Sequence, residues 1–160
     1  MLLWCSGKFN NFYGFSICSF RLFRQYMSLA YSRGAHEALR LRIDSAGTHG
    51  LHADEPPDDR AISKALENGI DITSLRARKI SAQDFDIYDL ILGLDSSHVR
   101  KLKAQRSPEH GAKVNLFLEY ARHPNERDVP DPYYGGTEHF NNAYRLIDEG
   151  VRSIIEHYGA

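Results

Sequence analysis

The apolar positions of this chain fall into two kinds of run. Leu41-Arg-Leu-Arg-Ile-Asp44 alternates apolar and basic residues and predicts a strand. Tyr88-Asp-Leu-Ile-Leu-Gly-Leu94 is a short apolar run bounded by acids, the pattern of a buried parallel strand. Val114-Asn-Leu-Phe-Leu118 predicts another strand. Helical signals lie between these runs. Pro56-Pro57-Asp58-Asp59 places Pro and Asp at a helix N-terminus. Ala61, Ile62, Ala65 and Leu66 give that helix a buried stripe, and Gly69 ends it. Asp95-Ser-Ser-His98 caps a helix that runs to about Gln105. From Thr137 onward, Phe140, Tyr144, Ile147, Val151, Ile154 and Tyr158 recur at helical spacing, so the longest helix is expected there with this stripe in the core.

Strands that alternate with helices predict an α/β fold. The expected architecture is a doubly wound, mostly parallel sheet of about four strands with helices on both faces. Missing from the pattern is a first strand followed by a loop able to cradle a phosphate. In such sheets ligands bind at the carboxyl ends of the strands. Asp44-Ser45, Asp95-Ser96 and the loop around Asp131 all lie just after strands or in long connections. They are expected to converge on one rim.

Length and charge narrow the classes. A chain of 160 residues is one domain with room for a core. A net charge of -1 gives no reason to expect nucleic acid or an anionic membrane as partner. The apolar residues are too dispersed for a membrane span. Two cysteines, Cys5 and Cys18, are too few for a disulfide framework and fit a reducing compartment, hence a cytoplasmic expectation. No Cys/His spacing suggests zinc, and no cofactor or metal is expected. Composition also divides the chain. Residues 1–36 contain no Asp or Glu, and half of all the aromatic residues fall in positions 1–31. Residues 37–160 read as an ordinary α/β domain, and residues 1–36 as an atypical N-terminal segment. Acid-poor N-termini with Arg and Ser can be transit peptides, but this one has too many aromatics and too few basic residues to fit.

The chemistry concentrates in Asp128-Val-Pro-Asp-Pro-Tyr-Tyr-Gly-Gly136. Asp131 is pinned between two prolines, each of which fixes its own φ and biases its predecessor to extended geometry. A carboxyl held stiffly beside two tyrosines suits a general acid that protonates a leaving oxygen. A Pro/Gly surface turn with exposed tyrosines is the competing reading of the same residues.

With these residues in view, the chain from about Ile43 to Ala160 resembles the low-molecular-weight protein-tyrosine phosphatases. The resemblance is carried by Asp44-Ser-Ala-Gly-Thr48, Glu55-Pro-Pro-Asp-Asp-Arg60, Arg76-Ala-Arg78, Phe85-Asp-Ile-Tyr-Asp-Leu-Ile-Leu92, Asp95 and Asp131-Pro-Tyr-Tyr-Gly135, in that order. It implies hydrolysis of a phosphotyrosine protein or a small aryl phosphate through a phosphocysteine, without metal. It implies Asp131 as general acid, Tyr133 and Tyr134 as part of an aromatic substrate wall, and Ser45 and Asp95 as supports of the phosphate loop. Leu51 stands near the position where the family often has Trp or Tyr, which thins the wall. His98 replaces a common Asn and reads as part of a helix cap. The oligomeric state is not legible.

That chemistry needs a Cys thiolate in a ring of backbone N–H groups at a helix N-terminus, and an Arg six residues later to clamp the phosphate. The family's Cys-x-Gly-Asn-x-Cys-Arg-Ser-Pro is absent. Cys5 has Asn11 where the Arg belongs. Cys18 and Arg24 have the right spacing and are the candidate nucleophile and clamp, but Phe20, Leu22 and Phe23 carry side chains where the backbone must close around phosphate. The genetic code offers an account. Codons exist for Arg21–Tyr31 that, read one base later, give Val-Cys-Ser-Gly-Asn-Ile-Cys-Arg-Ser-Pro-Thr. Residues from about Ser16 to the mid-thirties thus read as an out-of-frame copy of the lost loop, and the expected activity of the chain as written is lost. A catalytically dead binding module is the alternative. The related arsenate reductases need further cysteines for a disulfide relay, and none follows Cys18.

Overall fold

The computed structural model of the chain describes residues 12–17, 41–50 and 52–158. Four parallel strands form its sheet in the order β2-β1-β3-β4. They are β1 (Phe12–Ile17), β2 (Leu41–Ser45), β3 (Leu90–Gly93) and β4 (Lys113–Leu116). The first strand, which the apolar pattern did not yield, exists and takes the central place. Gly14 pairs with Ile43 of β2 on one side and with Leu90 of β3 on the other. Its sequence, Phe-Tyr-Gly-Phe-Ser-Ile, is rich in aromatic strand formers but lacks the acid-bounded apolar run that marked β3.

The described helices are α1 (Asp59–Glu67), α2 (Asp84–Ile87), α3 (Ser96–Gln105), α4 (Phe117–Tyr120) and α5 (Thr137–Tyr158). Asp58 caps α1 by accepting from the Arg60 N–H at 2.8 Å, and Gly69 follows in the left-handed region at φ 74°. Asp95 caps α3 by accepting from the His98 N–H at 2.8 Å. The expected starts of both helices are therefore as read.

Leu90, Ile91 and Leu92 of β3 are fully buried, and Phe85, Phe117, Phe140, Leu146, Ile147, Val151 and Ile154 complete the core around them. Four of the six α5 stripe residues are in it, Tyr144 is half-buried, and the Tyr158 side chain lies outside the described part of the structure. Two expectations fail locally. Leu66 is 51% exposed: the buried residues of α1 are Ala61 and Ala65, and Leu66 lies one helical step round from Ala65. The strand expected over Val114–Leu118 stops at Leu116. Phe117 starts α4, whose turn is closed by the Ala121 N–H to Phe117 O bond at 2.9 Å. Both side chains still enter the core, so burial alone did not distinguish strand from helix.

Candidate active site

In this strand order β1 leads to β2 on one side while β3 lies on the other. The order of the strands therefore reverses at β1/β3, and in α/β sheets ligands bind beyond the carboxyl ends of the strands at such a point. Ile17, Ser45 and Gly93 end β1, β2 and β3 at that edge, with Ser16 paired to Ser45 and Ile17 to Gly93. Cys18 follows Ile17 in sequence. Cys18, Arg24 and Leu51 all lie outside the described residues.

Asp44 of β2 and Arg78, both half-buried, begin an ionic chain that ends on the buried Asp84. Arg78 donates to Asp44 Oδ2 from Nε and Nη2 at 3.1 and 3.0 Å, and to both oxygens of Asp84 at 2.9 and 3.0 Å. Asp84 also accepts from the Ser81 N–H and hydroxyl. Burial alone would raise the Asp84 pKa, but the Arg78 and Ser81 hydrogen bonds outweigh it and hold the carboxyl below its ordinary range. Asp44 Oδ1 accepts from the Ser45 N–H at 2.8 Å, so the strand end that carries Ser45 is fixed by the same network. The Gly47–Lys79 bridge and the Gly47 N–H to Arg78 O bond at 2.8 Å tie the following turn to it.

Beyond β3, Asp95 is half-buried at the start of α3. Burial raises its pKa, while the Ser97 hydroxyl and the His98 N–H more than offset that and keep it ionised. The His98 ring lies on the same carboxylate, with Nδ1 2.7 Å from Asp95 Oδ2. Burial is the main reason that His98 is held below its usual pKa, against the pull of Asp95. His98 thus belongs to the cap, as its sequence position suggested.

The acid loop is held at three points. The Val129 N–H donates to Leu94 O at 2.9 Å, which ties the loop to the residue just after β3. Asp128 accepts from the Ser96 N–H and hydroxyl at 3.0 and 2.8 Å. Arg60 of α1 reaches across to Tyr133 O and Gly135 O, each at 3.0 Å. Between these anchors Asp131 is exposed, and its Oδ1 accepts from the Tyr133 N–H at 3.0 Å. Pro132 is buried beneath it. Tyr133 and Tyr134 stand edge to face, 5.1 Å between centroids, with Tyr134 almost wholly exposed. Asp131 is close enough to His98 for its charge to act on that ring.

The expected convergence is therefore present for Ser45, Asp95 and the Asp131 loop, which all adjoin the carboxyl edge of β1 to β3. The residues that sequence reasoning did not assign are Arg60 and Asp128. Both stand in motifs already noted along the sequence, but their roles depend on contacts across 73 and 32 residues that no local pattern announces. Among the described residues no three His, Cys, Asp or Glu side chains gather as a metal site. No helix among them is long and apolar enough to cross a membrane.

Comparison with known proteins agrees with this arrangement. The model of the family described as low molecular weight phosphotyrosine protein phosphatase matches residues 16–159. The low molecular weight phosphotyrosine protein phosphatase of Schizosaccharomyces pombe is 37% identical over 138 residues, covering 82% of this chain and 88% of its own. The crystal structure of YfkJ from Bacillus subtilis superposes with a TM-score of 0.74 at 26% identity, over 94% of each chain. That of Primo-1, at 22% identity, shares the fold with a TM-score of 0.82 over 93% of this chain and 98% of that one. The chain belongs to the low molecular weight phosphotyrosine protein phosphatase family.

Proposed function

We propose that this domain is built to hydrolyse protein phosphotyrosine through a phosphocysteine, with Asp131 as the general acid, and that the chain as written has lost the loop that performs the attack. In the first step a thiolate sulfur forms a bond to phosphorus while the bond from phosphorus to the aryl oxygen breaks. The Asp131 carboxyl gives its proton to the departing tyrosyl oxygen. In the second step water attacks phosphorus, its proton passes to the Asp131 carboxylate, and the sulfur leaves as thiolate with release of inorganic phosphate. The family's clamp Arg and loop N–H groups hold the equatorial oxygens throughout. Tyr133 and Tyr134 form the wall for the aryl ring, and Ser45 and Asp95 steady the loop that follows β1. A cytoplasmic placement is supported by a count of two cysteines, too few for a disulfide framework.

The observation that carries the reading is the anchoring of the Asp131 loop to the end of β3, at the edge where β1 also ends. The lost activity is supported by the residues after β1. Cys18 and Arg24 keep the spacing, while Phe20, Leu22 and Phe23 occupy positions that a phosphate-binding backbone needs open.

Two chains test this with para-nitrophenyl phosphate and a phosphotyrosine peptide. One is the chain as written. The other carries Val-Cys-Ser-Gly-Asn-Ile-Cys-Arg-Ser-Pro-Thr in place of Arg21–Tyr31. The second is expected to turn over at least about a thousandfold faster, the scale on which a concerted catalytic unit is lost. Turnover by the chain as written that disappears in Cys18→Ser would overturn the loss and make Cys18 the nucleophile. No turnover by either chain would sink the hydrolytic reading itself.

A further inference from the structure

Arg60 joins α1 to the acid loop, and all three of its guanidinium nitrogens are used. Nε and Nη2 donate to the two oxygens of Asp58 at 3.0 and 2.8 Å. Nη1 donates to Gly135 O and Nη2 to Tyr133 O, each at 3.0 Å. The guanidinium carbon lies 4.4 Å from the centroid of the Phe140 ring and 6.0 Å from that of Tyr133. A planar fork can serve a carboxylate on one edge and two carbonyls on the other while stacking on a ring; an ammonium cannot.

The two carbonyls it holds flank the tyrosine wall. Tyr133 contributes its carbonyl to Arg60 and its N–H to Asp131 Oδ1. Motion of the Tyr133 backbone therefore moves the donor that orients the Asp131 carboxyl. The Gly135 N–H closes the turn on Pro132 O at 2.8 Å, so its carbonyl end is fixed only from outside the turn. Misplacement of an acid by about 1 Å can cost a hundredfold in rate. We infer that Arg60 is a positioning residue for Asp131: it sets the direction of the Asp131 carboxyl by clamping the carbonyls of Tyr133 and Gly135. This rests on Asp131 being the acid, and its test needs no turnover.

The test uses the chain as it exists, by amide NMR and hydrogen exchange. The Tyr133 amide proton reports the ionisation of the carboxylate it donates to, so its shift follows Asp131 through a pH titration. In Arg60→Gln that pH-dependent excursion is expected to fall by more than half. Exchange of the amides of residues 133–136 is expected to rise at least tenfold relative to those of Ile91–Gly93 in β3. Arg60→Lys, which keeps the charge without the fork, is expected to fail to restore either. Asp58→Asn keeps the helix cap, frees one edge of the fork and is expected to fall between. If Arg60→Gln does not fold, Arg60→Lys and Asp58→Asn give the same reading. An unchanged Tyr133 excursion, or exchange that rises equally in loop and β3, would overturn the inference and leave Arg60 as a general stabiliser. Failure of the phosphatase reading would appear separately, as no turnover with the restored loop.

Discussion

At the scale of single residues, roles divide by what each carboxylate is given to do. Asp84 is buried and faces Arg78, Ser81 and nothing that a substrate could reach. Asp131 is exposed, and its carboxylate accepts from the Tyr133 N–H. Asp84→Asn removes the charge of a buried carboxylate and takes that partner from Arg78, so a loss of about 2–3 kcal/mol is expected in urea unfolding. The pH dependence follows from its depressed pKa. Such a group stabilises the fold above its unfolded pKa of about 3.9 and loses that contribution as pH falls through the lower folded value. The gap between the parent and Asp84→Asn should therefore be full at pH 6 and should close below about pH 4. A gap that stays constant from pH 6 to pH 3 would show that the charge is not what stabilises. Asp131→Asn should do the opposite. It should leave the melting temperature within a degree or two and, in the chain with the restored loop, lower kcat by about 10² to 10⁴. The fall should be larger for phenyl phosphate than for para-nitrophenyl phosphate, whose leaving group needs less help from an acid. Equal losses for the two substrates would remove Asp131 from proton transfer.

At the scale of elements, what the sequence made legible is what local chemistry dictates. Asp58 and Asp95 announced α1 and α3 because an N-cap is a contact within three residues. The apolar run at 90–93 announced β3 because a central parallel strand is covered on both faces. β1 escaped because its pairing, with residues about thirty and about eighty positions away, is what makes it a strand. α4 escaped because Phe117 and Leu118 would be buried in either conformation. The site divided the same way: Asp131 and its tyrosines were legible from two prolines, whereas Arg60 acts across the fold. Close packing between elements gives a further test. Gly150 of α5 lies against α4, and a Cβ there would stand 2.5 Å from the Phe117 ring. Gly150→Ala adds about 1 kcal/mol of helix propensity but overpacks a fully buried ring, at about 1–3 kcal/mol. A net lowering of the melting temperature is expected. A rise would mean that α4 can shift without cost and that the α4–α5 contact is looser than its geometry.

At the scale of the whole molecule, the sheet turns on its central strand. β1 supplies the partner of β2 along its whole length and joins it to β3, so β2 has no other strand to pair with among those described. The turn that carries Ser45, the bridge to Lys79 and the ionic chain through Arg78 all hang from β2. Proline at Phe15, which pairs with Asp44 on one side and Ile91 on the other, removes a backbone donor from the middle of the sheet. Its effect should not stay local. Exchange protection in β2 and β3 should fall together, and the thermal transition should broaden or vanish, because the two halves of the rim are joined through this strand. The same substitution in β4, at the edge of the sheet, should be milder; Asn115→Pro is the comparison, since Asn115 is exposed and pairs only with Leu92. A chain that melts cooperatively at an unchanged temperature with proline at position 15 would show that the segment 12–17 does not hold the sheet together. The loop that follows it would then have no fixed base on which to carry a nucleophile, whatever reading frame supplies its residues.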